Sequence, residues 1–298
     1  MSVRIVVPPI EAAALAGLDP GARIGELSGE TMGTYWRVRL AASPASDLMA
    51  LGEAVQRQLD GLVAQMSHWD DTSLLRRFDQ ASAGSWTDLP ADFATVIEAG
   101  LVIAERSGGA FDPAIGRLTD AYGLGPRART DAPSEAELAD ARAVSGWQHL
   151  AYDLAMHRLR QPGGLWLDLS GIAKGHAVDA VAALLAARGL RHCLVEIGGE
   201  CVGRGMRPDG DPWWVDLETP PGLRAQSIRV ALHQLAVATS GNYVRGDHTL
   251  DPRSGRRVIN GVASVSVLHA RAMEADAWAT ALTVLGLEDG VALAVREG

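Results

Sequence analysis

The stretch "WLDLSGIAKGHAVDAVAALL", residues 166–185, decides how the fold is interpreted. Its first residues are apolar apart from Asp168, which predicts a buried strand. Ser170 and Gly171 predict a tight turn after that strand. The remainder has the spacing of a helix with one buried face, formed by Ile172, Val178, Val181 and Leu185.

Lys174 lies in the first turn of this predicted helix. A cation there faces the positive end of the helix dipole, at a cost of about 0.3–1 kcal/mol. A bound phosphate would reverse that cost, because free backbone N–H groups at a helix start bind anions. The P-loop order of glycine, lysine and serine or threonine is not met, since Gly175 follows the lysine. Two interpretations stay open: a phosphate-binding lysine, or a lysine in water beside glycines that only form a turn.

The composition is typical of a soluble globular enzyme, with 47% hydrophobic and 21% charged residues among 298. This length suits one large domain or two small ones, and the absence of an obvious linker favours a single domain over residues 1–298. The net charge of −9 argues against a nucleic-acid partner, which would require a basic surface. It does not exclude an anionic small molecule, because a local cation or metal ion can dominate a pocket.

The N-terminal sequence "MSVRIVVPPIEAAALAGLDP" lacks the long apolar core of a signal peptide, since Pro8 and Pro9 interrupt it and Glu11 follows. We expect no transmembrane segment, because no stretch looks long and apolar enough to cross a bilayer. A cytoplasmic protein is therefore expected, and a processed exported form stays open. The two cysteines, Cys193 and Cys201, are expected to be buried thiols.

Strands and helices alternate irregularly along the chain, which favours an α+β fold with mixed, largely antiparallel sheets and flanking helices. Helical spacing predicts helices over 47–66 and 91–106. Ser134, followed by Glu137, predicts a capping box at the start of another helix. Asp209 and Gly210 form the dipeptide that most strongly signals a hairpin turn.

Two oxygen-bearing side chains lie one helical turn apart in "EADAWATAL", residues 274–282. Asp276 and Thr280 would share one face of a helix, and their oxygens suit Mg²⁺. The alternative is a capping aspartate near a helix start, with a threonine that packs among alanines.

Two aromatic side chains are further candidates. His248 lies in "SGNYVRGDHTLDPRSG", residues 240–255, where it would act as a general base or remain a surface histidine in a hairpin loop. Trp69, beside Asp70 and Asp71, would stack on a flat ring or close a core.

Eight segments occur in one order that is specific as a set. With this order the chain resembles the ApbE-type FAD:protein FMN transferases from Glu30 to about Gly286. The segments are "ETMGTYW", "SHWDDTSLLRRFD", "GGAFDPAIGRL", "LDLSGIAKGHAVD", "VEIGGE", "ATSGNY", "HTLDPRSG" and "EADAWATAL".

The resemblance implies a reaction, flavinylation of another protein. Such enzymes bind FAD and Mg²⁺ and move the FMN part of FAD onto a threonine or serine hydroxyl of a target flavoprotein, releasing AMP. One site would then contain both the residues that bind the pyrophosphate and a metal ion that offsets its charge. The rival expectations are an FAD pyrophosphatase, with water as the acceptor, and a flavin-binding protein without catalysis.

The resemblance also implies roles for residues at matching positions. His248 matches a histidine proposed as catalytic. Metal ligation would come from Gly171 through its carbonyl, Asp276 and Thr280. Contacts with the flavin nucleotide would come from Met32, Trp69, Ala110, Phe111, Asp112, Asp168, Lys174, Thr249 and Leu250.

Several positions depart from the family pattern. Ala114 and Thr249 stand where threonine and isoleucine are usual, and Tyr122 stands where tryptophan is common. Asp79 replaces an asparagine and His176 an aromatic residue. These differences bear on fine contacts in the pocket and leave the lysine and metal positions intact.

Overall fold

The computed structural model describes residues 3–10, 12–19, 21–243, 246 and 248–298, so Glu11, used above against a signal peptide, lies outside the described residues. The α-helices in this part of the chain are α1 (Leu48–Met66), α2 (Leu74–Gln80), α3 (Ala91–Arg106), α4 (Gly116–Ala121), α5 (Glu135–Ala143), α6 (Ala173–Ala187) and α7 (Ala272–Glu297). The strands are β1 (Val3–Val6), β2 (Arg23–Thr31), β3 (Thr34–Ala42), β4 (Trp86–Asp88), β5 (Ala151–Asp153), β6 (Arg158–Arg160), β7 (Cys193–Ile197), β8 (Glu200–Arg204), β9 (Trp213–Leu217), β10 (Ser227–Leu232), β11 (Leu235–Gly241), β12 (Leu250–Asp251), β13 (Arg256–Arg257) and β14 (Ser264–His269).

A six-stranded sheet in the order β14-β11-β8-β7-β3-β2 forms the centre of the fold. All its neighbouring strands are antiparallel. A smaller sheet has the order β1-β10-β9, and β1 pairs with β10 in parallel. The predicted α+β class with largely antiparallel sheets and flanking helices is confirmed.

The main core lies between the six-stranded sheet and the helices α1, α3, α6 and α7. Apolar residues at helical spacing give α1 its buried face, and Asp47 caps its start. A second core joins the two sheets, where Trp213 of β9 packs against the side chains of β10 and β11. The helices and the smaller sheet therefore lie against different faces of the central sheet.

Two local predictions are wrong. Residues 166–169 form no strand, although 167–169 are buried, because their backbone hydrogen bonds go to other partners: Leu167 N–H donates to Asp79 Oδ1 and Asp168 N–H to the Pro113 carbonyl. The turn at Asp209 and Gly210 forms, but it does not close a hairpin, since β8 and β9 belong to different sheets.

Other local predictions are confirmed. The helices α1 and α3 match the expected ranges, and Ser134 and Glu137 form the capping box of α5. Lys174 is the second residue of α6. Both cysteines are free and buried.

The helix α7 qualifies, by length and composition, as long and apolar enough to cross a membrane, so the expectation that no segment would qualify is wrong. Its packing is that of a core helix, because it lies against α6, β11 and β14. It is also interrupted at Gly286, whose φ of 81° is not helical.

Candidate active site

One cleft of about 640 Å³ brings together most of the residues named from the sequence. The predicted residues that line it are Ala110, Phe111, Asp112, Asp168, Gly171, Lys174, His248, Thr249, Leu250, Asp276 and Thr280. Met32 and Trp69 are not among its lining residues. Met32 lies in the turn between β2 and β3 with a φ of 50°, and Trp69 is 64% exposed, with its ring beside that of His68.

The turn before α6 is held tightly against α7. Asp168 accepts a hydrogen bond from Ser170 N–H at 2.9 Å, which fixes the turn. A Cβ atom on Gly171 would lie 2.9 Å from Thr280 Oγ1 and 3.4 Å from the ring of Phe111. Only glycine fits at this position without displacing its neighbours, and Thr280 is therefore adjacent to the Gly171 backbone.

The starts of α6 and α7 cap one another. Asp276 Oδ2 accepts a hydrogen bond from Gly175 N–H at 3.0 Å. In return, Asp179 of α6 accepts from Ala272 N–H at 3.1 Å and from Met273 N–H at 3.0 Å. The backbone N–H of Gly175, in the first turn of α6, thus already faces a carboxylate, which suits the positive end of the helix dipole.

Lys174 forms an ion pair with Glu200, the first residue of β8. Glu200 is only 3% exposed, and its second oxygen, Oε2, has no hydrogen-bond partner in the described part of the chain. Sequence reasoning missed Glu200, although it ends the segment "VEIGGE". The ion pair spans 26 residues, so no local spacing could have indicated it.

Burial raises the pKa of both carboxyl groups near Lys174. For Glu200 the loss of hydration is the main cause, the positive charge of Lys174 opposes it, and the nearby charge of Asp276 adds to it. For Asp276 burial again raises the pKa, against Lys174 and the Gly175 hydrogen bond. The two carboxylates therefore repel one another across a single lysine.

The loop after α3 forms another wall of the cleft. Asp112 accepts hydrogen bonds from Ala114 N–H at 2.8 Å and from Trp147 N–H at 3.0 Å. Burial nevertheless raises the pKa of Asp112 to about 6. Phe111, next to it, is buried and its backbone N–H donates to the Ser107 hydroxyl at 3.1 Å.

His248 presents one ring nitrogen as a base. Its Nδ1 lies 2.8 Å from the Gly246 carbonyl oxygen, which can only accept a hydrogen bond. Nδ1 must therefore carry a proton, and in the neutral ring Nε2 is the nitrogen with the lone pair. The next residues are anchored, since the Thr249 hydroxyl donates to Asn242 Oδ1 at 2.8 Å and Leu250 is buried.

Of the residues that depart from the family pattern, Thr249 lines the cleft, and the other four lie outside its lining. Asp79 accepts from Leu167 N–H at 2.9 Å and pairs with Arg76 at 3.0 Å. The Tyr122 hydroxyl donates to the Gly255 carbonyl at 3.2 Å. His176 Nε2 lies 3.0 Å from Asp92 Oδ1, and Ala114 is buried.

The residues proposed for Mg²⁺ fit a sparse site. Gly171 and Thr280 are adjacent, and Asp276 lies one turn before Thr280 on α7. Carbonyl, hydroxyl and carboxylate oxygens are hard ligands, and Mg²⁺ commonly takes few protein ligands and keeps several waters. The described residues contain no group of three or more His, Cys, Asp or Glu suited to a metal.

Acidic side chains dominate the lining of the cleft. Among the described lining residues the basic side chains, apart from His248, are Arg39 and Lys174. The carboxylates are Asp112, Asp168, Glu196, Glu200, Asp216, Glu218 and Asp276. This local excess was not predictable from the sequence, because these residues are scattered along the chain.

Comparison with known proteins finds one family. The ApbE family model matches residues 32–298. The FAD:protein FMN transferase of Vibrio cholerae is 36% identical over 292 residues, covering 94% of this chain and 87% of the relative. The FAD:protein FMN transferase of Salmonella typhimurium is 33% identical, covering 94% and 83%.

Solved structures agree with this comparison. The flavin transferase ApbE from Vibrio cholerae superposes with a TM-score of 0.86 at 36% identity, covering 92% of this chain and 90% of that one. The apo form of Pseudomonas stutzeri flavinyl transferase ApbE gives a TM-score of 0.87 at 36% identity, covering 93% and 89%.

Proposed function

This chain belongs to the ApbE family, and we propose that it moves the FMN part of FAD onto a threonine or serine hydroxyl of a target flavoprotein, with Mg²⁺. Flavin transfer itself is the activity of the chain, an FAD:protein FMN transferase. FAD is its substrate and a flavoprotein its target. The acceptor hydroxyl, the metal ion and the residue roles are the proposed details.

The single observation that carries the proposal is the composition of the cleft. A candidate base, a lysine and a set of hard oxygen ligands line the same cavity: His248, Lys174, Gly171, Asp276 and Thr280. Phosphoryl-type transfer requires a grip on the phosphates, neutralisation of charge and a positioned nucleophile. Lys174 would bind the phosphates, a metal ion held by Gly171, Asp276 and Thr280 would neutralise charge, and His248 would activate the acceptor hydroxyl, which is the nucleophile.

We assign the proton transfer to His248. Its Nε2 would take the proton from the acceptor hydroxyl, because a neutral hydroxyl is a weak nucleophile. The acceptor oxygen then bonds to the phosphorus of the FMN part. The bond from that phosphorus to the oxygen bridging to the AMP phosphorus breaks, and the electron pair leaves with AMP.

We assign the binding of the anionic part of FAD to Lys174. Asp168 fixes the turn that precedes this lysine. Gly171, Asp276 and Thr280 would hold Mg²⁺. When bound, the ion would offset charge on the phosphate oxygens. Phe111 and the loop around Asp112 form an apolar and hydrogen-bonded wall suited to part of the nucleotide.

The test is an incubation of the protein with FAD, Mg²⁺ and flavoprotein domains from the same genome, produced without flavin. Intact-mass spectrometry and chromatography then identify the products. A covalent FMN adduct on a domain, with AMP released, supports the proposal. FMN and AMP without an adduct would instead establish a pyrophosphatase, and unchanged bound FAD a binding protein.

A further inference from the structure

The described lining of the cleft has the same sign of net charge as the substrate. FAD carries an anionic diphosphate, whereas carboxylates outnumber basic side chains among the described lining residues. Like charges at short range cost free energy, most of all where burial limits screening by water and salt. FAD must therefore bring a cation with it or find one in place.

Most of the lining carboxylates are already compensated. Asp112 and Asp168 accept hydrogen bonds from backbone N–H groups. Asp216 forms a two-bond ion pair with Arg229. Glu196 accepts from the Tyr35 hydroxyl at 2.7 Å and is only partly buried.

Glu200 is different from these residues. It is buried, and one of its oxygens pairs with Lys174 while the other lacks a partner in the described part of the chain. Asp276 is the second carboxylate near Lys174. Among the described residues around Lys174, the two buried carboxylates Glu200 and Asp276 therefore share the charge of one lysine.

We propose that Glu200 makes the binding of FAD conditional on a divalent cation. This inference rests on the proposed function, in which FAD is the substrate and Asp276 helps to hold Mg²⁺. Without the cation, Glu200 engages Lys174 and repels the diphosphate. A divalent ion beside Asp276 reverses the local charge balance, and Lys174 can then serve the phosphates.

Coupling of this kind is reciprocal. If Mg²⁺ tightens FAD binding by a given factor, FAD tightens Mg²⁺ binding by the same factor. Glu200 would thus prevent FAD from occupying the cleft in a state that cannot react. It acts through Lys174 and the local charge, so it is a positioning residue.

The experiment measures FAD dissociation constants by calorimetry at pH 8, once with a chelator and once with saturating Mg²⁺, with FAD integrity checked by chromatography. Glu200→Gln keeps the shape and an acceptor for Lys174 but removes the charge. Glu200→Asp keeps the charge. Glu196→Gln is the matched control, since it removes one carboxylate from the same cleft whose partner is Tyr35 and not Lys174.

In the wild-type protein Mg²⁺ should tighten FAD binding strongly. Glu200→Gln should bind FAD more tightly than wild type in chelator, and the gain from Mg²⁺ should shrink by roughly tenfold, within the usual range of coupling between sites. Glu200→Asp and Glu196→Gln should keep most of the wild-type gain.

Equal weakening of FAD binding in both conditions by Glu200→Gln would overturn the proposal and leave Glu200 a purely structural residue. The proposal would also be overturned if Glu196→Gln or Glu200→Asp reduced the Mg²⁺-dependent gain in FAD affinity as much as Glu200→Gln does. Failure of the proposed function is a separate result: wild-type protein that binds FAD with the expected coupling but flavinylates no domain.

Discussion

Asp276 of α7 accepts a hydrogen bond from the backbone N–H of Gly175 on α6 at 3.0 Å, although 101 residues separate them. The contact ties the lysine-bearing turn to the helix that carries the proposed metal ligands. In turn, Asp179 of α6 caps the start of α7 by accepting hydrogen bonds from two of its backbone N–H groups. The site therefore depends on how these two helix starts meet.

Gly171→Ala should disturb the packing between the turn before α6 and the start of α7. The added methyl group would lie 2.9 Å from Thr280 Oγ1, closer than carbon and oxygen normally approach. We expect lower thermal stability and loss of most transfer activity. Gly61→Ala in α1 is the control, because nothing lies within 4 Å of its Cβ position and alanine should stabilise the helix by roughly 0.5–1 kcal/mol. Unchanged activity in Gly171→Ala would contradict the close packing described.

Lys174→Ala should weaken FAD binding, with a larger effect at low salt, where ionic contacts are less screened. It should also lower the free energy of unfolding by about 3 kcal/mol, because Glu200 would be left buried without its partner. Adding Glu200→Gln should restore most of that stability. Chemical denaturation and FAD titration measure the two effects. Unchanged FAD affinity would leave Lys174 only the structural role of partner to Glu200.

His248→Ala should slow flavin transfer by about 10²–10⁴-fold while FAD still binds, the usual loss for a general base. Single-turnover transfer and FAD titration separate the two quantities. His157→Ala is the control, since His157 lies outside the lining of the cleft. Transfer at the normal rate would remove His248 from the mechanism, and loss of FAD binding would make it a binding residue.

Asp112 should give stability a dependence on pH. Burial raises its pKa to about 6 in the folded protein, above its value in the unfolded chain. The folded state then binds more protons than the unfolded state between about pH 4 and 6, so stability falls as the pH rises through this window. The loss is about 3 kcal/mol, at roughly 1.4 kcal/mol per pKa unit. Denaturation at several pH values should show wild type losing about this much more stability than Asp112→Asn between pH 4 and 6; parallel profiles would contradict the assignment.

Local signals predicted the parts of the fold that local chemistry decides. Helical spacing placed α1 and α3, and the Ser134 capping box marked the start of α5. The strand predicted at 166–169 is wrong because the apolar residues there are buried by loops and by the Asp79 side chain rather than by a neighbouring strand. Burial pattern alone does not distinguish these cases.

The candidate site was predictable where its motifs are local. Lys174 at a helix start and the pair Asp276 and Thr280 follow from spacing and from the resemblance. Glu200 was missed because its partner lies on another element, and the acidic character of the cleft arises only when distant strands meet. The roles assigned to Met32 and Trp69 stay predictions, since neither lines the cleft.

The central claim is metal-assisted transfer at the meeting point of α6 and α7, and Asp276→Asn tests it most directly. The amide oxygen can still accept from Gly175 N–H, so the variant removes mainly charge. The measurement counts AMP released and FMN bound covalently to the acceptor in single turnovers at ordinary Mg²⁺. We predict one AMP for each FMN adduct in wild type, near-complete loss of both in Asp276→Asn with partial rescue by excess Mg²⁺, and a smaller loss in Thr280→Val. Transfer at the full rate by Asp276→Asn, or by wild type in chelator, would contradict the account.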